Sequence, residues 1–377
     1  MKIPEGRYTF DSFVQYLVDN EGRVFGGGER KQWLKVYLVY AQREWDLLFR
    51  GFPQTNLGDV RKISMQTGTV AKPVEFYVYE WSPGFLLFFT SSRREDYEKT
   101  LRKFIRFNRG ITEVWIPPDL LNKVRNRLLS EYQATVYSFI SRRSRLSKTA
   151  ANLRPEFDKR LSYTGEDATE VLKEVANFYG VVPKSISFRV GTDKLQITNS
   201  GMLLLYSVNQ HSVQILMDFL RTVTEPQRKV REISGQLKRE TKTMQIGDLE
   251  FRTPVVVPGV ITLQSMKLDR YVVERFFGQD NMDAKESSFE LEAEEFEPRE
   301  FSFIDTSIKE GSFSFSALVV DDIKGTMFGL NGSTDQMVLV PMHRTIFESF
   351  VRFYKLVIES LDEEAKFDVF PPQTQTA

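Results

Sequence analysis

VEFYVYEWSPGFLLFFTSSRREDYEKTLRKFIRFNRGITEVWI, residues 74–116, carries the signals that set the fold class. Two runs rich in aromatic and β-branched residues, 74–81 and 85–90, flank Ser82-Pro83-Gly84. Pro presets φ for the second position of a type II turn, and Gly tolerates the positive φ of the third. The two runs therefore read as a β-hairpin. Ser92 and Glu95 then stand at capping-box spacing. Tyr97, Leu101, Phe104 and Ile105 recur at helical spacing, and Gly110 offers a left-handed stop. A hairpin followed directly by an amphipathic helix predicts an α+β protein of antiparallel hairpin sheets, each covered by such helices.

The same helix carries Lys99, Arg102, Lys103, Arg106 and Arg109 away from its apolar face. Like charges three and four residues apart repel mildly, unless an anion lies across them. A short strand is expected at 112–116, broken by Pro117-Pro118, with Asp119 as the next helix cap. Leu121, Val124, Leu128, Tyr132, Val136 and Phe139 keep a spacing of three and four, which predicts one helix through them. Lys123, Arg125 and Arg127 lie on its first turns, and Arg142, Arg143, Arg145 and Lys148 follow it. Residues 101–160 hold 14 Lys and Arg against 5 Asp and Glu, a net +9. Such a surface can track phosphates, with Phe107, Tyr132 and Tyr137 available to stack bases. The competing reading is a solvated helix face neutralised by carboxylates elsewhere.

The pattern recurs along the chain. An amphipathic helix is expected at 8–19, and a hairpin at 33–40 and 44–49. Residues 51–73 read as loop. A helix at 168–178 precedes a hairpin around Gly191-Thr192-Asp193, a strand from Met202 and a helix capped by Asn209. Residues 225–243 are highly charged. Short strands near 255–257 and 260–263 and a helix at 269–277 lead into an acidic run, 286–300. Strands at 312–319, 326–330 and 337–340 and a helix from His343 to Leu361 complete the pattern. The organisation expected is an N-terminal domain (1–118), a basic helical connection (119–160), a middle hairpin and helix domain (161–245), an acidic C-terminal domain (246–366) and a tail (367–377). Residues 281–377 carry 19 Asp and Glu against 8 Lys and Arg, so the formal net charge of +0 conceals a basic middle and an acidic end.

Composition removes several chemistries. With 0 Cys, disulfides, thiolate metal sites and cysteine nucleophiles are excluded, and 2 His cannot build a multi-histidine metal centre. No apolar run reaches the length of a membrane span, and the first residues lack the apolar core of a signal peptide, so a cytoplasmic protein without membrane partners is expected. No phosphate-binding loop, nucleophile elbow or zinc-binding helix spacing occurs. Asp321-Asp322, with Asp305 or Glu348, could hold magnesium at a strand end, although Asp is also an ordinary turn residue. No catalytic residue, metal site or cofactor is therefore assigned. The reading that follows is a non-enzymatic nucleic-acid-binding subunit of a larger complex, with DNA or RNA as partner. Its alternatives are an assembly component that joins basic to acidic regions, by self-association or with other subunits, and, further off, a metal-dependent nuclease.

Overall fold

The first sheet is built outward from a central apolar strand. A computed structural model describes residues 1, 3–26, 32–42, 44–66, 72–143, 161–179, 181–246, 249–278 and 300–370. It divides into two compact units, Met1–Gln227 and Arg228–Ala377, each α+β with antiparallel sheets. In the first unit, α1 (Phe10–Asp19) and α2 (Glu21–Phe25) precede β1 (Leu34–Ala41). Thr9 caps α1 by accepting from the Ser12 N–H at 3.2 Å. Next come α3 (Trp45–Leu48), β2 (Gln54–Leu57), β3 (Val60–Met65), β4 (Val74–Ser82) and β5 (Phe85–Thr90). The β4–β5 hairpin forms as expected, with Gly84 at φ 81° in its turn. Helix α4 (Arg94–Tyr97) passes through a π turn (Glu98–Arg102) into α5 (Lys103–Phe107). β6 (Ile111–Glu113) and α6 (Pro118–Glu131) follow, then β7 (Thr135–Arg143), β8 (Leu161–Thr164) and α7 (Ala168–Tyr179). The unit ends with β9 (Val181–Val190), β10 (Asp193–Thr198), β11 (Met202–Leu205) and α8 (Gln210–Gln236), which crosses the boundary.

Eleven of these strands make one sheet, in the order β2-β3-β4-β5-β1-β11-β10-β9-β7-β8, with β6 paired to β1. Strands on both sides of the boundaries expected at 118/119 and 160/161 thus share one hydrogen-bonded sheet. The join is β1 against β11, with Leu34 opposite Leu205 and Tyr37 opposite Met202. Alternation along β1 separates two cores. Leu34, Val36 and Leu38 pack with Phe10, Phe13 and Leu17 of α1, Leu121 and Val124 of α6, and Leu216 and Leu220 of α8. Tyr37 and Val39 pack on the opposite face with Tyr97, Leu101 and Ile105. The rings of Tyr37 and Tyr97 stack with centroids 3.7 Å apart. Gly201 lies at the join with φ +75°, and a Cβ there would meet the Val114 carbonyl oxygen at 2.5 Å. Its own carbonyl accepts from the Leu38 N–H at 3.0 Å.

Several expectations need correction. The 44–49 strand is a short helix, α3, and 54–65 is a hairpin rather than loop. The helix expected through Phe139 stops at Glu131, and Val136 and Phe139 lie on strand β7. Gln133 has φ 50°, which ends helical geometry. A register shift between Val136 and Ser138 lets residues three apart face the same core, so the spacing imitated a helix. The cap of α4 is one residue later than expected: the Arg93 N–H donates to Asp96 Oδ2 at 3.3 Å. Pro117 occupies the cap of α6, with Asp119 in the first turn.

In the second unit β12 (Lys238–Ile246) and β13 (Leu249–Val257) form a two-stranded hairpin across the boundary expected at 245/246. A six-stranded sheet has the order β15-β16-β17-β18-β14-β19. Its strands are β14 (Gly259–Thr262), β15 (Phe301–Lys309), β16 (Ser314–Asp321), β17 (Thr326–Gly332), β18 (Gln336–Pro341) and β19 (Lys366–Val369). The helices are α9 (Arg270–Phe276), capped by Asp269, and α10 (Phe347–Ser360). Helix α10 begins after His343 because Met342–Thr345 turns instead, with Arg344 at φ 71°. The start of the expected tail is strand: Phe367 pairs with Ile261. Residues 371–377, and all of the acidic run except Glu300, lie outside the described residues.

The carboxylate of Asp362 ties the α10 end to the loop after β14. It accepts from the N–H of Gln264 at 2.6 Å, Ser265 at 2.8 Å and Glu364 at 3.0 Å, and from Ser265 Oγ at 2.5 Å. Burial opposes its charge, but these donors outweigh burial and hold its pKa below the ordinary value. A depressed folded pKa stabilises the fold above the unfolded pKa, and this contribution fades as pH falls through the folded value. Thermal denaturation below pH 4 should therefore distinguish wild type from Asp362→Asn, whose acid-induced loss is smaller. Gly201→Ala forces a side chain into left-handed backbone against a carbonyl, and denaturant titration should show a loss of about 3 kcal/mol.

Candidate nucleic-acid interface

The π turn sets which side chains of the α4–α5 segment point outward. It adds a residue to one turn, so that Tyr97, Leu101 and Ile105 all reach the core beside β1. Lys99, Arg102, Lys103 and Arg106 are then exposed, as is Arg109 beyond the helix. Their electrostatic states differ. Arg102 pairs with Glu98 at 2.5 Å and Glu113 at 3.6 Å. Burial disfavours its charge, but Glu113 and Glu98 outweigh burial and raise its pKa. Glu113 also accepts from the Tyr97 hydroxyl at 2.7 Å, which helps drive the Tyr97 pKa up beyond the effect of burial. Arg102 thus belongs to a structural network. Lys103, Arg106 and Arg109 form no ion pair among the described residues. Phe107 beside them is 64% exposed, with the Arg106 guanidinium 5.8 Å from its ring centre.

The other expected site residues are placed elsewhere. Helix α6 packs into the core on the opposite side of the sheet, so Lys123 and Arg127 are separated from the α5 cations by the sheet itself. Lys123 is exposed. Arg127 donates to Glu131 at 2.9 Å and to Thr222 at 3.1 Å, and lies 3.9 Å from Asp218. Arg142 and Arg143 end strand β7, which places them on a sheet rather than a helix; their side chains, and all of Arg145 and Lys148, lie outside the described residues. Of the aromatic candidates, Phe107 is open, Tyr132 donates its hydroxyl to Asp218, and Tyr137 lies between two cations on the sheet.

The cavity lined by Tyr132, Asp218, Arg127 and Thr222 measures about 10 Å³, room for one water. A wider depression of about 280 Å³ is lined by Glu44, Asp46 and Glu80. Asp46 is paired with Arg61, and Glu80 accepts from the Gly84 N–H at 3.2 Å. Among the described residues no three His, Asp or Glu side chains group closely enough to hold a metal ion. Asp321, at 0% exposure, does not open to a magnesium site: it accepts from the N–H of Ile323 and Lys324 at 3.1 and 2.9 Å and from Ser349 Oγ at 2.8 Å. Asp322 accepts from Ser302 at 2.7 Å. The pair closes the β16–β17 turn and ties it to α10. His343 and His211 are both exposed. No helix among the described residues is long and apolar enough to cross a membrane.

Comparison with known proteins adds two likenesses. A family model described as a family middle domain matches residues 119–199, which hold α6, α7 and β7–β10. An uncharacterized protein of Archaeoglobus fulgidus is 23% identical over 289 residues, covering 74% of this chain and 73% of that one. No solved structure matches the chain. The segment matched by the family model does not close its own sheet, because β10 continues into β11 and then β1.

Burial first, then the neighbouring Asp218, push the Tyr132 phenol up to about 12 from its ordinary 10.0. In the unfolded chain it ionises near pH 10, so its contribution to stability is complete below that and disappears as pH rises through 12. Thermal melts from pH 9 upward should show a steeper decline for wild type than for Tyr132→Phe over this window.

Proposed function

We propose that this protein is a non-enzymatic nucleic-acid-binding subunit of a larger cytoplasmic complex. In this reading the amphipathic helices that cover its sheets form the scaffold, and the α5 face contacts phosphates. The observation that carries it is that Lys103, Arg106 and Arg109, exposed beside the open Phe107 ring in sequence, form no ion pair among the described residues. Where the segment needs charge for structure, at Arg102 and Arg127, carboxylates are supplied. At the cluster none is supplied among the described residues, and close like charges stay unfavourable until an anion arrives. A polyanion supplies that charge and gains the entropy of released counterions. An exposed aromatic ring adds a surface on which a base can lie. Lys123, on the other side of the sheet, belongs to a separate face and makes at most a second contact.

Labelled oligonucleotides, single-stranded and duplex, titrated at several salt concentrations should bind with an affinity that falls steeply as salt rises. The triple variant Lys103→Gln, Arg106→Gln, Arg109→Gln should lower the single-strand salt slope by about 2, whereas Arg102→Gln should leave the slope close to wild type. Binding that ignores salt, or a triple variant with an unchanged slope, overturns the reading.

A further inference from the structure

The sheet register brings a second group of aromatic and cationic side chains into one row. In the β10–β11 register, Leu195 faces Leu205 and Gln196 faces Leu204, which carries Lys194 opposite Tyr206. The Tyr206 N–H indeed donates to the Lys194 carbonyl at 3.1 Å. Lys194 faces Arg189 on β9, and Arg189 faces Thr135 on β7. On the other flank Trp33 lies against Tyr206, with ring centroids 4.6 Å apart. The row therefore crosses from β1 to β7, and its members are far apart in sequence.

The chemistry of the row is that of an open platform. Trp33 is 42% exposed, and Arg189 and Lys194 are exposed. Both cations lie over the Tyr137 ring, at 5.8 and 5.4 Å from its centre, and neither forms an ion pair among the described residues. The Tyr206 phenol is pushed up to about 12, first by burial and then by the neighbouring Tyr137. The nearest carboxylate in sequence, Asp193, is engaged by Ser207 at 2.5 Å and Asn209 at 2.7 Å. Gln196 continues the face with a half-buried polar side chain, and Ser185 and Ser187 opposite β10 are buried.

The row also shares a face with the α5 cations. Residues directly opposite one another in a ladder point to the same side. Lys35 and Tyr37 of β1 face Leu204 and Met202 of β11, and Tyr37 is the residue on which Tyr97 of α4 stacks. Trp33 and Tyr206 continue that same alternation. The helix that carries the α5 cations and the aromatic row therefore lie on the same side of the sheet.

We infer that this protein takes single-stranded nucleic acid, stacking a base on the Trp33–Tyr206 pair while Arg189 and Lys194 hold the adjoining phosphates. The inference rests on the nucleic-acid reading above and narrows it. A duplex hides its base faces, so an exposed indole gains nothing from it, whereas an unpaired base offers its whole π-face. The Trp33 and Tyr206 rings are tilted by 49°, so a base would lie on the open face of the indole, with the two cations over the neighbouring Tyr137 placed for the adjoining phosphates.

The test compares three labelled probes of equal length, about 15 nucleotides, by fluorescence anisotropy: an oligothymidylate, an abasic oligomer and a duplex. The oligothymidylate should bind about 10-fold more tightly than the abasic oligomer, a comparison that needs no altered protein. Trp33→Ala should lose about 10-fold for oligothymidylate and leave the abasic oligomer unchanged, and Trp33→Phe should retain most of the affinity. If all three probes bind with a steep salt dependence but equally well, or if Trp33→Ala weakens oligothymidylate and abasic oligomer alike, base stacking is wrong and phosphate binding stands. If no probe binds, both readings fall, and an acidic protein partner becomes the explanation of the cations.

Discussion

The pairing of β1 with β11 is the constraint on which the first unit depends. Without it there would be two smaller sheets, each with an exposed edge able to recruit other chains. With it, one strand order places the described residues between the two strands on defined sides of a common surface. Gly201 makes the approach possible, because any larger residue at that point would meet the Val114 carbonyl. β1 itself is buried on both faces, which is why six of its eight residues are nearly inaccessible and why its run is apolar without alternation. Its two faces then specify different layers: α1, α6 and α8 share one core with it, and α4 and α5 share the other.

This arrangement decides which charges are available. A stripe of arginine and lysine on a helix can be matched by carboxylates or left to attract an anion, and both occur here. Arg102 and Arg127 are drawn into networks that also satisfy tyrosine hydroxyls, through Glu113 and Asp218 respectively. Exposed pairs of this kind contribute little individually, but they consume the charge. The cluster around Phe107 receives no such partner among the described residues. It is the contrast within one segment, rather than its net charge of +9, that gives the α5 face its character.

Much of the fold was legible in the sequence because local signals agreed with tertiary ones. The β4–β5 hairpin and the Asn209 cap of α8 combine a turn or cap residue with a clean period, and Phe315, Ala317 and Val319 alternate cleanly. Where these signals separated, reading failed. In β7 a bulge moved Val136 and Phe139 to helical spacing, so a strand passed for the end of α6. In 54–65 the polar face of an outer hairpin hid its strands, since only Leu57, Val60, Ile63 and Met65 are buried. The helix cations could be identified from composition, but their division between two sides of a sheet could not, because α5 and α6 are adjacent in sequence and their faces are set by long-range packing.

The aromatic row shows the same limit from the other direction. Trp33, Tyr137, Arg189, Lys194 and Tyr206 have no common motif, and no spacing along the chain connects them. They meet only through register: a slip of one residue in the β10–β11 or β9–β10 ladder would send Lys194 or Arg189 into the core face. The turn at Gly191 and the engagement of Asp193 by Ser207 and Asn209 oppose that slip, by fixing the β9–β10 hairpin and clamping β10 to the residues after β11. A surface row built in this way is sensitive to strand geometry rather than to side-chain identity alone. It follows that the residues which hold the register, Asp193 and Asn209 among them, position the row without belonging to it.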